Sequence, residues 1–288
     1  MNRKLMILMV ASLAFVLAGC TSPLGNGDDT DDENGVSFDF TPQDGLSIDF
    51  KHPTGEAYVN EQTTFEADVA NTGEGEANIT GMKLYYASWA SGENCSDCST
   101  PITLQGGSAA AKETGEQKYF KFSPNVDLEL DQDQSKMAHV GLRTTYEYTS
   151  KTLSSVVLMN EDTWEQKKDT RSKMDNEYRG GPVRLKFTSV TPQEAGSNVQ
   201  LKVEVENVGD GRLNNSEITS LKVLDSTGDI VSDDCEWTDS KRIDGTRTFI
   251  CSFDSDEIDV PSKEKGLRAV ADYVYTEDDT VDVQVTNP

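Results

Sequence analysis

Apolar and polar residues alternate along several segments of this chain with a period of two. The alternation is clearest at 65–69, 146–148, 201–205 and 281–285. A period of two places every second side chain on one buried face, as in an antiparallel sheet whose other face is wet. Turn-forming tripeptides such as Asn-Thr-Gly at 71–73 separate these segments. The pattern therefore predicts an all-β chain.

The chain also contains an internal repeat. Segment 65–75 (FEADVANTGEG) aligns without a gap with 201–211 (LKVEVENVGDG), at an offset of 136 residues. Further blocks follow in the same order: 46–50 with 183–187, 79–85 with 218–224, 146–149 with 273–276, and 156–160 with 283–287, the last two at an offset of 127. We therefore predict two copies of one β-domain, at 46–160 and 183–288.

Each copy has about 105–115 residues and room for some seven short strands. This size is typical of an immunoglobulin-like β-sandwich, so the predicted architecture is two tandem Ig-like antiparallel β-sandwiches. The segment 161–182 between the copies contains helix-forming residues, a cluster of basic side chains and a Gly-Gly-Pro stop. We interpret it as a charged linker that is helical in part.

Both copies contain a strand that ends in Asn-x-Gly-x-Gly, within VANTGEGEA at 69–77 and VENVGDGRL at 205–213. Glycine tolerates positive φ, and an asparagine side chain can close such a turn on the backbone. These segments resemble the signature of CARDB-type and related Ig-like modules of bacterial and archaeal surface proteins. The resemblance covers both copies and implies modules that bind, space or adhere rather than catalyse. It implies no site residues.

The N-terminus has the pattern of an export signal. A basic start is followed by an apolar run at 5–17, which at ~1.5 Å per residue is too short for a bilayer core of ~30 Å. The tetrad Leu-Ala-Gly-Cys at 17–20 resembles the lipobox of prokaryotic lipoproteins. That resemblance implies cleavage after a 1–19 signal peptide and acylation of Cys20, which anchors the protein on the outer face of the cell membrane. An ordinary signal peptide or an uncleaved anchor is the alternative.

Residues 20–45 are mostly small, polar and acidic, as in a disordered tether. A calcium-binding loop at Asp29, Asp31 and Glu33 is the alternative, but Asn34 stands where that motif requires glycine.

The chain has 51 acidic and 26 basic residues and a net charge of −25. Loss of residues 1–19 removes two basic residues and no acidic one, which makes the mature charge about −27. Nucleic acid and anionic lipid surfaces are excluded as partners by this charge. Because the acidic residues are spread along the chain, we interpret them as the solvated surface of an archaeal, salt-adapted protein, whose self-repulsion salt screens. Cation binding is the alternative.

Four further cysteines remain, and an even number in an exported chain predicts disulfides. Cys235 and Cys251 flank a predicted hairpin with an Asp-Gly turn at 244–245, and Cys95 and Cys98 lie in one loop. A four-cysteine zinc site and a redox C-x-x-C motif are the alternatives. Zinc ribbons need two closely spaced pairs, and the redox motif needs a helix N-terminus. We predict no metal ligand and no cofactor.

Asn78, Asn94 and Asn214 begin N-glycosylation sequons, the first and last at equivalent positions of the repeat. The only two histidines are His52 and His139, and no catalytic or nucleotide-binding motif is present in the sequence. We therefore predict no catalytic residue and no enzymatic activity.

These patterns together predict a lipid-anchored surface protein whose two modules bind a protein or a surface glycan, as in adhesion. The alternative is a solute- or metal-binding lipoprotein that serves a membrane transporter. A polar pocket at the junction of the copies would favour the alternative, and a long exposed sheet edge would favour the first hypothesis. The anchor at Cys20 predicts that the C-terminal copy lies farther from the membrane and meets the partner.

Overall fold

The computed structural model describes residues 45–86, 89–92, 95–96, 98–108, 111, 113–159, 161–166, 174–191, 199–233, 235–237, 246–253 and 262–288. These residues belong to one compact unit, Val36–Pro288. Cys20, the predicted tether before Gly45, Asn94 and the predicted turn at 244–245 lie outside the described residues. None of the described helices is long and apolar enough to cross a membrane.

The described structure consists almost entirely of strands. In chain order the elements are β1 (Leu46–Lys51), β2 (Glu56–Tyr58), β3 (Phe65–Asn71), β4 (Ala77–Tyr86), β5 (Ala90–Ser91), β6 (Cys95–Ser96), β7 (Ile102–Leu104), β8 (Gln117–Phe122), β9 (Asn125–Val126), β10 (Gln134–Met159), α1 (Glu161–Gln166), β11 (Asp175–Arg179), β12 (Val183–Thr191), β13 (Val199–Asn207), β14 (Arg212–Asp225), β15 (Ile230–Ser232), β16 (Cys235–Trp237), β17 (Arg247–Phe253) and β18 (Ser262–Asn287).

Each repeat builds a four-stranded antiparallel sheet of its own. The strand order is β1-β3-β8-β6 in the N-terminal repeat and β12-β13-β17-β16 in the C-terminal repeat. Alternate residues of β3 and of β13 are buried, as the period of two predicts. The aligned segments at 65–71 and 201–207 therefore occupy the same place in the two sheets.

The other strands of both repeats form one central sheet. Its order is β15-β14-β18-β10-β4-β7, with β11 paired to β10 and β2 paired to β18. The two middle strands are 26 residues long each and pair antiparallel from Gln134↔Asn287 to Met159↔Ser262. Most strands have ~5–6 residues. The predicted all-β class and the antiparallel sandwiches are confirmed, and the structure adds that the two sandwiches share this sheet.

The long ladder has a pseudo-two-fold axis at its middle. Glu147 pairs with Val274. Val274 is also the residue that aligns with Glu147 in the second copy of the repeat, 127 residues later. On either side, Tyr146 pairs with Tyr275 and Tyr148 pairs with Tyr273. The two repeats are thus arranged around this axis like the subunits of a symmetric dimer.

Four buried tyrosines pack around the axis on the inner side of the sheet, which faces the two small sheets. They are Tyr146, Tyr148, Tyr273 and Tyr275, with neighbouring ring centroids 5.7 to 6.3 Å apart in tilted or edge-on arrangements. Aromatic rings attract one another most in such offset geometries. Burial raises the pKa of all four phenols, so they stay neutral donors and acceptors.

Three of the four hydroxyl groups bond the ladder to β1 or to an Asn-x-Gly-x-Gly turn, and the fourth bonds to Ser150 within the ladder. Their hydrogen bonds are Leu46 N to Tyr146 Oη (3.3 Å), Gly75 N to Tyr148 Oη (2.8 Å), Tyr273 Oη with Ser150 Oγ (2.9 Å) and Tyr275 Oη to Asn207 Oδ1 (2.8 Å). Burial of a hydroxyl group without a hydrogen-bond partner costs free energy. These bonds therefore determine where the turns pack against the ladder.

The Asn-x-Gly-x-Gly turns close through the asparagine side chain, as the sequence predicts. Asn71 Nδ2 donates to the Gly75 carbonyl at 2.7 Å, and Asn207 Nδ2 donates to the Gly211 carbonyl at 2.9 Å. The same bond in both repeats supports the alignment of the two motifs.

The segment 161–182, predicted as a partly helical linker, contains the short helix α1 and the strand β11. This strand pairs with Lys151–Ser155 of β10. The edge of β10 is open there because β4 ends its pairing at Glu147. An open edge leaves backbone groups unpaired, and β11 covers it. Residues 167–173 lie outside the described part of the segment.

The described chain begins at the junction of the two repeats. The Gly45 carbonyl accepts the Thr72 and Gly73 amides at 3.0 and 3.3 Å. A Cβ on Gly45 would lie 2.5 Å from Tyr146 Oη and 3.0 Å from Pro182 Cδ, at the start of the other repeat. Gly45 thus lies against the Asn71 turn of the N-terminal repeat and beside the residue that precedes β12. The prediction that the N-terminal repeat lies nearer the membrane stays a prediction.

Gly181→Ala is expected to destabilise the protein by about 2–4 kcal/mol. The backbone φ of Gly181 is +91°, and a Cβ there would lie 2.5 Å from Tyr148 Cε1 and 2.7 Å from Tyr273 Oη. Gly55→Ala is the matched control, because its φ is +71° with nothing within 4 Å of the added Cβ; we expect a loss of about 1 kcal/mol. Urea unfolding measures both, and equal losses would show that the tyrosine cluster tolerates the methyl group.

Candidate functional site

The central sheet presents an outer face to solvent along both repeats. In β10, from Ala138 onward, even-numbered residues are buried against the small sheets, whereas odd-numbered ones other than Gly141 are exposed or half-buried. Cross-strand pairs on the outer face are mostly polar, for example Arg143 with Asp278 and Thr149 with Asp272. Both repeats contribute to this polar face, since β10 and β18 run along its middle.

A groove of about 610 Å³ crosses the outer face at the pseudo-two-fold axis. We call it the seam groove, and its polar lining residues include Glu76, Asn78, Glu147, Thr149, Lys151, Thr219 and Asp272. They come from β4, β10, β14, β18 and the turn before β4, so both repeats contribute. The groove exists only because the two repeats share one sheet.

Hydrogen bonds hold the carboxylates of the seam groove in place. Asn78 Nδ2 donates to Glu147 Oε2 at 2.9 Å, and Thr149 Oγ1 donates to Asp272 Oδ1 at 2.7 Å. A carboxylate has about four lone-pair positions, so each retains acceptor capacity for a ligand. Lys151 is the basic residue of the lining, which also contains three acidic residues, Glu76, Glu147 and Asp272. The groove therefore suits a ligand rich in hydroxyl or cationic donors.

A second groove of about 600 Å³ lies where the second half of β10 and β11 meet β18 and the turn after β14. Gly266 and Leu267 form part of its lining between β11 and the turn that follows β14, with Glu177, Asp225 and Arg268 as its charged residues. Asp225 already accepts the backbone amides of Thr227, Gly228 and Asp229 at 2.9 to 3.0 Å. That carboxylate is consequently occupied in closing its own turn.

In the N-terminal half of the outer face, an ion-pair cluster joins three strands. Arg143 donates to both carboxylate oxygens of Asp278 at 2.7 and 2.9 Å, and Arg212 approaches the same group at 3.2 Å. The bond from Arg143 holds the pKa of Asp278 below its usual value. The Arg143 guanidinium also lies over the Tyr85 ring, 5.0 Å from its centroid. Such partly exposed pairs order the surface and contribute little to stability.

The two predicted glycosylation residues within the described part of the chain lie in strands rather than loops. Asn78 is in β4 and donates its amide to Glu147, and Asn214 is in β14. Glycosylation of these residues and of Asn94 stays a prediction.

The structure contains two disulfides. Cys235 and Cys251 are directly opposite each other on β16 and β17, with an S–S distance of 2.05 Å, and Cys95 is bonded to Cys98. A bridge that closes about 15 residues contributes ~3 kcal/mol by chain entropy. With these four sulfur atoms bonded in pairs, none of them is a thiolate that could bind zinc. Cys95 begins the strand β6 rather than a helix, so the helix N-terminus that a redox C-x-x-C motif needs is not found there. Among the described residues, no group of three or more His, Cys, Asp or Glu is placed to hold a metal.

The two histidines lie in different parts of the fold, and each makes hydrogen bonds to its own neighbours. His52 Nδ1 accepts the Gly55 amide at 3.0 Å, and its Nε2 contacts Thr63 Oγ1 at 2.6 Å. His139 lies on the outer face and bonds to Asp282. Trp89 is buried, and its indole N–H donates to the His139 carbonyl at 3.1 Å.

No protein-family model matches the chain. No curated protein matches it in sequence.

Similarity to solved structures is weak. The secreted serine protease VesC from Vibrio cholerae is 13% identical with a TM-score of 0.23, over 83% of this chain and 51% of that chain. The C-terminal domain of the AgI/II polypeptide BspA from Streptococcus agalactiae is 10% identical with a TM-score of 0.17, over 88% and 96%. The collagen adhesin CNA from S. aureus is 7% identical with a TM-score of 0.17, over 85% and 94%.

The chain spans about half the length of the protease that it matches. Similarity at these TM-scores carries no argument about function. The assignment of an antiparallel β-sandwich rests on the strand order and register of the chain itself.

His52→Gln is expected to remove a pH dependence of stability. Burial lowers the pKa of His52, and Nδ1 must be unprotonated to accept the Gly55 amide. The unfolded chain titrates near pH ~6.5, so this contribution is present above that pH and is lost as the pH falls towards the lower folded-state pKa. The difference in the free energy of unfolding between wild type and variant should therefore become smaller as the pH falls from about 8 to about 5. Urea unfolding across this range measures it, and a constant difference would contradict the assignment.

Proposed function

We propose that this is a lipid-anchored, non-catalytic protein of the cell surface that binds a protein or a surface glycan through the outer face of its central sheet. The observation that carries the proposal is the outer face, which is polar, open to solvent and continuous across both repeats. An open, polar surface of this kind suits contact with a large partner.

The location is supported by the sequence and by the disulfides. The export pattern and the Leu-Ala-Gly-Cys tetrad favour acylation of Cys20. The bonds Cys95–Cys98 and Cys235–Cys251 are compatible with an oxidising compartment outside the cytoplasm. The acidic segment at 20–45 supplies a solvated spacer between the lipid and the folded part.

The seam groove provides the chemistry of recognition. Glu147 and Asp272 are fixed acceptors, and the hydroxyl groups of Thr149 and Thr219 lie beside them. Saccharide hydroxyls, or lysine and arginine side chains of a partner, supply donors that match carboxylates, and charge-assisted bonds are the stronger kind.

A solute-binding lipoprotein is the second candidate function, and the seam groove is the observation that favours it. Its volume of about 610 Å³ lies within the ~300–1,000 Å³ that is usual for small-molecule sites. Because both repeats line it, the groove also meets the sequence-based criterion of a polar pocket at their junction.

Charge reversal in the seam groove is expected to weaken partner binding. Glu147→Lys combined with Asp272→Lys should lower retention of cell-envelope material by the mature protein about tenfold or more, because both acceptors become repulsive to cationic donors. Glu129→Lys is the control, since Glu129 is exposed and outside the groove. Crosslinking followed by pull-down measures retention, and circular dichroism checks folding.

Equal retention by the groove variant and the control would exclude the seam groove as the binding surface. If small solutes raise the melting temperature saturably in the wild type and not in the groove variant, the solute-binding function is favoured instead.

Cys20→Ser is expected to release the protein from the membrane. Acylation requires the thiol, and two or more lipid chains are needed for stable anchoring. Fatty-acid labelling and membrane fractionation measure the result. Full membrane retention of the variant after removal of its signal peptide would show that lipid on residue 20 does not hold the protein.

A further inference from the structure

Each repeat lacks one strand of its own sandwich. In the C-terminal repeat, the sheets β12-β13-β17-β16 and β15-β14-β18 match the A-B-E-D and C′-C-F order of an immunoglobulin-like domain. In that fold a hairpin after strand F returns the chain as strand G beside F. Here β18 does not turn back but continues straight to Asn287.

The vacant position beside strand F is filled by the other repeat. The first half of β18, at 262–273, pairs with the second half of β10, at 148–159. In the same way, the first half of β10, at 134–145, pairs with the second half of β18, at 276–287. Each long strand is therefore strand F of its own repeat and strand G of the other one.

The neighbours of the C-terminal segment support this exchange. Residues 284–286 of β18 pair with β2, which belongs to the N-terminal repeat, and Asp279 accepts the Phe50 amide of β1 at 3.1 Å. Val59 N donates to the Thr286 carbonyl at 3.0 Å. The second half of β18 thus pairs with strands β10 and β2, more than 130 residues earlier in the sequence.

The exchanged segments are equivalent parts of the repeat. Segment 156–160 aligns with 283–287 at the offset of 127. Val156 and Leu158 in one, and Val283 and Val285 in the other, are fully buried. Two matching apolar patterns therefore fill two matching positions, as in a domain-swapped dimer.

We infer that the chain is a strand-exchanged pair of sandwiches in which each repeat is completed by the strand G of the other. Neither repeat is a whole sandwich by itself, and the two hold together without the connecting segment at 161–182. At 146–149 and 273–276 the two long strands continue without a turn, where each sandwich would otherwise have a hairpin between strands F and G. The four tyrosines pack at these positions.

A crossed pair of substitutions tests the exchange by hydrogen–deuterium exchange of the full mature chain. Val283→Ala lies in the C-terminal repeat by sequence but should accelerate amide exchange about tenfold or more in β3 and β8 of the N-terminal repeat. Val156→Ala lies in the N-terminal repeat and should accelerate β13 and β17 of the C-terminal repeat to a similar extent. Acceleration confined to the repeat that carries the substitution, or equal in both, would overturn the inference.

Cleavage of the connecting segment provides a second measurement that does not depend on a destabilised variant. A protease site inserted within 167–173 and cut after folding should leave both fragments together at the native elution volume. They should separate only in denaturant. Fragments that separate as folded monomers under native conditions would equally overturn the inference.

Discussion

The antiparallel pairing of β10 with β18 is the interaction on which the remaining structure depends. The flanking strands β4 and β14 pair with these two strands, as do the edge strands β2 and β11. Each small sheet packs on one half of the ladder, so its buried face needs the ladder as a partner. The outer face and the seam groove are likewise surfaces of this one sheet. A break in the ladder would remove the core and the candidate site together.

The tyrosine cluster explains how a buried polar group can fix the geometry of this junction. A phenol fills a large apolar volume and still offers one donor and one acceptor position. Tyr148 uses its hydroxyl to hold Gly75, and Tyr275 holds Asn207. Both partners belong to the Asn-x-Gly-x-Gly turns, where glycine lets the backbone approach the ring closely. The motif that the sequence singled out therefore has a structural role at the axis.

Much of the fold could be predicted because its signals are local. The period of two in apolar and polar residues predicted the strands, and the alignment of the chain with itself predicted the duplication. The Asn71 and Asn207 turns followed from side-chain chemistry within five residues. The pairing of Cys235 with Cys251 required only that two strands be neighbours. Strand exchange is not a local feature. The alternation of apolar and polar residues at 146–160 would fit a neighbouring strand from either repeat equally well.

One signal for the exchange was present in the sequence. From Leu142 to Met159 the chain contains no Gly, Pro, Asn or Asp, although a hairpin between strands F and G would normally need such residues. The continuous 26-residue strand β10 is the result. The seam groove had no comparable signal. Glu147 and Asp272 are two of 51 acidic residues, and only the shared register brings them to one groove.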